Sequence, residues 1–154
     1  MTEPALQTLL DHAAISDVLH TYASAVDRRD WPLFRSLFTE RVIVDMRSFA
    51  PDRYFEIGVD ELLELARPID RFDATQHTST NHLHRIDGDK ATSVSYMQAG
   101  HFVKRPDGDF NCFLYGYYTT SLVRTDAGWK IREYALTITA QQGDPRVFEW
   151  AGMR

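Results

Sequence analysis

A single cysteine, Cys112, rules out an internal disulfide. It sits inside an aromatic, strand-like run, where a small buried hydrophobe is expected rather than a nucleophile. The stretch Met1 to Gln7 lacks the basic and apolar parts of a secretory signal, so a cytoplasmic protein is expected. No apolar run approaches the roughly 18 residues of a membrane-spanning helix. The chain also has no run of five like charges, and its formal net charge of −5 lacks the basic excess that nucleic acid or an anionic membrane surface selects. Repeats, linkers and low-complexity stretches are missing as well. What remains is one domain of 154 residues, 44% hydrophobic and 25% charged. A chain of that size buries roughly 70% of its unfolded surface.

The first half is written with a helical period. Leu6, Leu9, Leu10, Ala13, Ala14, Val18, Leu19, Tyr22, Ala23 and Val26 form the stripe of an amphipathic helix that Asp27 closes. Asp30 is placed to cap a short second helix through Trp31, Pro32, Leu33, Phe34, Leu37 and Phe38. A short strand over Val42–Met46 follows, then a loop or strand near Tyr54–Ile57. A third helix over Val59–Ile69 is ended or bent by Pro68. Beyond it the period falls to two. Strands are expected near His77–Ile86, Ala91–Lys104, Asn111–Thr125 and Trp129–Ala140. Turn signals at Asp87-Gly88, Asp107-Gly108 and Asp126-Ala127-Gly128 separate them. Helices first and an antiparallel meander afterwards give an α+β fold, with helices on one face of a strongly curved sheet that leaves a pocket. The tail from Gln141 onward has no clear period and is expected against the mouth of the fold.

Three of the six histidines fall in F-D-A-T-Q-H-T-S-T-N-H-L-H-R-I, between Phe72 and Ile86. Strict alternation puts His77 with Ser79, Asn81 and Leu83, and His82 and His84 on the other face with Thr78 and Thr80. On that reading only one set points inward. The His82/His84 pair suggests a metal, but the carboxylate that would complete such a site is missing nearby, so no metal is expected.

The stretches T-Y-A-S-A-V-D-R-R-D-W, F-D-A-T-Q-H-T-S-T-N-H, Y-M-Q-A-G-H, G-Y-Y and V-R-T-D-A-G-W-K-I, in that order from Leu6 to Thr139, resemble the SnoaL-like branch of the nuclear-transport-factor-2-like superfamily. Among its members scytalone dehydratase and hexachlorocyclohexane dehydrochlorinase are most similar around these motifs. The resemblance implies a cone-shaped α+β fold, three N-terminal helices on a mostly antiparallel sheet, with a pocket opening at one end. It also implies that Asp27 orients His77 as a general base, that Tyr22 contacts substrate, and that His101 stands where a second active-site histidine is found. Tyr96, Asn81 and Tyr115 are further candidates to donate hydrogen bonds to an enolate or a departing hydroxyl.

The chemistry suits those residue types. An imidazole takes a proton near neutral pH, and a buried carboxylate on its other nitrogen fixes the tautomer and stabilises the imidazolium. The expectation is a cofactor-independent lyase, a dehydratase or dehydrohalogenase acting on a small cyclic, largely apolar molecule. Polyketide cyclase or ketosteroid-type isomerase chemistry uses the same proton abstraction. A non-catalytic binding module or an oxygenase small-subunit-like scaffold is the alternative from another class, and it predicts a pocket filled by side chains. The aromatic outer face of the sheet leads to the expectation of a homodimer or homotrimer.

Overall fold

The computed structural model describes residues 3–153. Helix α1 (Glu3–Arg28) leads to α2 (Trp31–Ser36), strands β1 (Phe38–Asp45) and β2 (Tyr54–Gly58), and α3 (Val59–Ala66). A 3₁₀ turn over Arg67–Arg71 follows, with Pro68 at its start. The long strands are β3 (Ala74–Asp87), β4 (Lys90–Arg105), β5 (Gly108–Thr125) and β6 (Gly128–Gly143), and a last short helix is α4 (Arg146–Trp150). All form one curved sheet in the order β2-β1-β6-β5-β4-β3, antiparallel except where β1 runs parallel to β6. This is the expected α+β cone, extended by the β1–β2 pair beyond the four-stranded meander.

Helix α1 packs across the concave face through Ile15, Leu19, Ala23 and Val26. Its apolar stripe is buried only from Asp11 onward, and Leu6, Leu9 and Leu10 are exposed. Asp11 anchors the packed part. Its carboxylate takes both Arg124 Nη atoms at 2.7 and 2.8 Å and Trp129 Nε1 at 3.1 Å. At the other end Arg29 adopts φ 57°, and Asp30 N bonds Ala25 O at 2.9 Å, a left-handed helix stop usually given to glycine. Asp30 then caps α2 by accepting from Leu33 N.

Three expectations change. Phe38 belongs to β1 rather than to the second helix, because α2 stops at Ser36 and Leu37 bonds to β6 through Ile131 N at 2.8 Å. The tail packs as expected, but as a helix: Val147 and Phe148 of α4 are fully buried. The division of the histidines also fails. Thr80 pairs with Tyr96 and Leu83 with Val94, so β3 carries one extra residue there, and Asn81 takes φ 53°. Beyond this bulge the parity reverses. His82 and His84 turn to the α1 side, which His77 already faces, and Leu83 is left 70% exposed.

Candidate functional site

The last turn of α1 brings Asp27 against the start of β3, where Thr75 and His77 share a face. Three donors meet the Asp27 carboxylate. His77 Nδ1 lies 2.7 Å from Oδ1, His77 N donates to Oδ2 at 2.7 Å, and the Thr75 hydroxyl donates to Oδ1 at 2.9 Å. Side-chain exposure is 8% at His77 and 16% at Asp27, so the pair is screened little by water. Burial pushes the Asp27 carboxyl up. The His77 ring bond and charge, the His77 amide and Thr75 together outweigh it and hold Asp27 below the ordinary carboxylate value. Asp27 is therefore an anion that accepts. The His77 tautomer follows from that network, with the proton on Nδ1 and a free lone pair on Nε2.

Behind the pair stands Arg29. Its Nη1 donates to Val26 O and Asp27 O and to Thr75 Oγ1, the last at 2.6 Å. Because Arg29 occupies a lone pair of Thr75, the Thr75 proton is directed at Asp27. An arginine at this helix stop thus does what glycine cannot: it ties the helix end to the strand that carries the base.

His77 opens on an internal cavity of about 100 Å³. Its walls are mostly aromatic and aliphatic side chains, Phe148 and Met153 of the tail among them. Three tyrosines form a polar cluster in it. Tyr22 donates to Tyr134 OH at 2.9 Å, and Tyr134 also bonds Tyr118. Burial pushes the Tyr22 phenol up to about 12, with the charge of Asp27 adding to it. Burial raises Tyr118 and Tyr134 further, so all three hydroxyls stay neutral donors. His101, 4% exposed, stacks edge-on to His77 at 5.5 Å and to Phe148 at 4.8 Å. Burial, then the neighbouring His77, pushes it down to about 3, so it is a neutral imidazole, and its buried Nδ1 has no hydrogen-bond partner among the described residues.

Of the residues singled out from sequence, Tyr22, His77 and His101 line the cavity, with Asp27 behind His77. Asn81, Tyr96 and Tyr115, expected as donors to the substrate, are not among the lining residues. Asn81 is spent on the bulge and exposed. Tyr96 lies on the convex face at 55% exposure, opposite in parity to the buried Met97, Ala99 and His101. Tyr115 has the outward parity of β5, stacks on Phe113 and donates to Gln142. Tyr118, Tyr134, Arg53 and Phe148 line the cavity too, and none of them is singled out by the sequence. A register shift near Ile131 hides Tyr134. It gives β6 one extra residue opposite Ser121 and Leu122, so Tyr134 faces inward although Trp129 and Ile131 also do.

His82 and His84 belong to a separate cluster between β3 and α1. Ser79, His82, Ser16, His84 and Ser93 follow one another at 2.9, 3.0, 2.9 and 2.9 Å, with the His20 and His12 rings beside them. Among the described residues no group of three or more histidine, cysteine or carboxylate side chains is arranged to hold a metal ion. Nor is any helix among the described residues long and apolar enough to cross a membrane.

Residues 7–135 match the SnoaL-like domain family. The chain is 32% identical to the terrestric acid biosynthesis cluster protein E of Penicillium crustosum, over 96% of this chain and 99% of that protein. A proposed scytalone dehydratase from Novosphingobium aromaticivorans superposes with TM-score 0.78 at 24% identity, covering 89% of each chain. A type 2 hexachlorocyclohexane dehydrochlorinase superposes with TM-score 0.77 at 19% identity, covering 91% of this chain and 93% of the other. At those identities the two structures establish a shared fold.

Proposed function

The chain belongs to the SnoaL-like domain family, and from that premise we propose that it is a cofactor-independent lyase in which His77, oriented by Asp27, removes a proton beside a carbonyl. The observation that carries the reading is the 2.7 Å contact between His77 Nδ1 and Asp27, which leaves Nε2 as the free base at a cavity wall. In the dehydration the C–H proton passes to Nε2 and its electron pair becomes an enolate. The tyrosine hydroxyls around Tyr22 are neutral donors suited to that oxygen. As the carbonyl re-forms, the β-hydroxyl departs with the imidazolium proton as water, and His77 is restored. With a halide as leaving group, the proton goes to solvent instead.

The body of the ligand is a small cyclic, largely apolar molecule, in keeping with walls built from phenylalanine, methionine and leucine. Cyclisation or isomerisation begins with the same abstraction, and the relative in a biosynthesis cluster favours a natural-product substrate for it. A scaffold role calls for a cavity filled by side chains, against which the open space of about 100 Å³ counts. We further propose that the convex face carrying Tyr96 and Leu83, 55% and 70% exposed, is covered in a homodimer or homotrimer, which sedimentation tests.

The test is deuterium exchange at the α-carbon of cyclic ketones such as 2-tetralone, together with elimination from cyclic β-hydroxyketones. Wild-type protein is expected to accelerate exchange over buffer, and His77→Gln to lose about 10²–10⁴-fold of it. Equal exchange by wild type and His77→Gln, or none above buffer across the set, overturns the proposal.

A further inference from the structure

Resting on the reading of the cavity as a substrate site, we propose that Arg53 anchors a carboxylate of the substrate, which makes the ligand a cyclic acid with its acid group and its reacting carbon at opposite ends of a ring body. Among the described residues that line the cavity, Arg53 is the one lysine or arginine, and none is an aspartate or glutamate. Its guanidinium is held by two wall residues. Nη2 donates to Met153 O at 2.6 Å, and Cζ lies 5.7 Å from the centre of the Phe49 ring. Arg29, Arg35, Arg47, Arg124 and Arg146 each face a carboxylate within 4.0 Å, whereas Arg53 has none among the described residues. The fork is thus fixed in place, meets no carboxylate among the described residues, and has N–H donors left for a bidentate acceptor.

The rest of the cavity dictates the orientation. A carboxylate pressed against phenylalanine and methionine without a partner is costly, and one beside His77 would meet the Asp27 anion. Arg53 is the place left for it. Between Arg53 and the base runs one wall of rings: Phe49 meets Phe148 at 5.2 Å, Phe148 meets His101 at 4.8 Å, and His101 meets His77 at 5.5 Å. A flat ring lying along that wall spans the cavity and brings its far C–H bonds to His77. The acid group supplies orientation, which converts loose binding into a geometry that reacts.

The experiment compares 2-naphthoate with the isosteric neutral 2-naphthamide by calorimetry on the full chain. Wild-type protein is expected to prefer the acid by at least about tenfold, the range of one hydrogen-bonded charge pair. In Arg53→Gln the ratio falls to about one, and in Arg53→Lys it lies between. The absence of an acid preference in wild type, failure of the acid to bind included, overturns the proposal. So does a preference that survives Arg53→Gln, or, should that variant not fold, one undiminished in Arg53→Lys. His77→Gln separates this proposal from the catalytic one. It is expected to keep the acid preference while losing deuterium exchange; if it keeps both, the base assignment falls and the anion anchor stands.

Discussion

His77 and His82 face the same side of β3 although an odd number of positions separates them. Asn81, at φ 53°, absorbs the extra residue. Asparagine tolerates that left-handed backbone and glycine adopts it freely, whereas a β-branched side chain clashes with the carbonyl that follows. Asn81→Val is expected to lower stability by about 1–2 kcal/mol, and Asn81→Gly to change it by less than about 0.5 kcal/mol. Urea midpoints measure both. Equal midpoints for the valine and glycine variants would show that the bulge does not depend on this residue.

Thr75→Val tests whether the relay from Arg29 matters to the base. Valine keeps the shape of this nearly buried side chain and removes the hydroxyl that lies between Arg29 and Asp27 at 2.6 and 2.9 Å. With one donor gone, the Asp27 carboxyl is expected to titrate at higher pH than in wild type, because its lowered value depends in part on Thr75. Carbon NMR of the labelled carboxyl reads that shift directly. Exchange activity should fall less than in His77→Gln, since the ring bond to Asp27 remains. An unchanged Asp27 titration would remove Thr75 from the site.

What alternation resolves in this chain and what it hides have one physical cause. On β4 the pleat is unbroken from Ala91 to Val103, so His101 inward and Tyr96 outward follow from counting by two. On β5 the same count from Cys112 sets Tyr118 inward and Tyr115 outward. On β3 one inserted residue reverses the count, and on β6 the count breaks twice, opposite Ser121–Leu122 and opposite Tyr115–Gly116; nothing local in Asn81 or near Ile131 announces these shifts. The Asp27–His77 pair was legible only through resemblance, because its partners lie on different elements. Arg53 and Phe148 come from a loop and a tail without periodicity, and only tertiary packing brings them to the cavity.

The serine–histidine chain between α1 and β3 should make the fold sensitive to mild acid. Burial first, then His12 and His82, push His84 down to about 4 from an ordinary value of 6.5, and burial with His20 also lowers His82. A base whose folded pKa is depressed penalises the folded state once the unfolded chain takes up protons. Stability is therefore fully present above about pH 6.5 and declines as pH falls toward 4. Urea midpoints at pH 7.5 and pH 5 are expected to differ, and His84→Gln, which cannot charge, should narrow the difference. If the two proteins lost the same stability over that interval, these imidazoles would not be its source.

Phe148 links the tail to the site, and removing it should show whether the cavity depends on that tail. The ring is fully buried and stands edge-on to Phe49, Phe72 and His101, so truncation leaves a hole next to the base rather than at a distant part of the core. Phe148→Ala is expected to cost about 3–5 kcal/mol, the usual range for a buried phenylalanine whose surroundings relax only in part. The enlarged space also removes the middle of the ring wall between Arg53 and His77. The variant should therefore bind 2-naphthoate more weakly than wild type while still preferring it to 2-naphthamide, because Arg53 keeps its contacts to Met153 and Phe49. A variant with wild-type naphthoate affinity would mean that the ligand does not lie along this wall. A variant that lost the acid preference altogether would mean that Phe148, through the tail, is what holds the guanidinium in place.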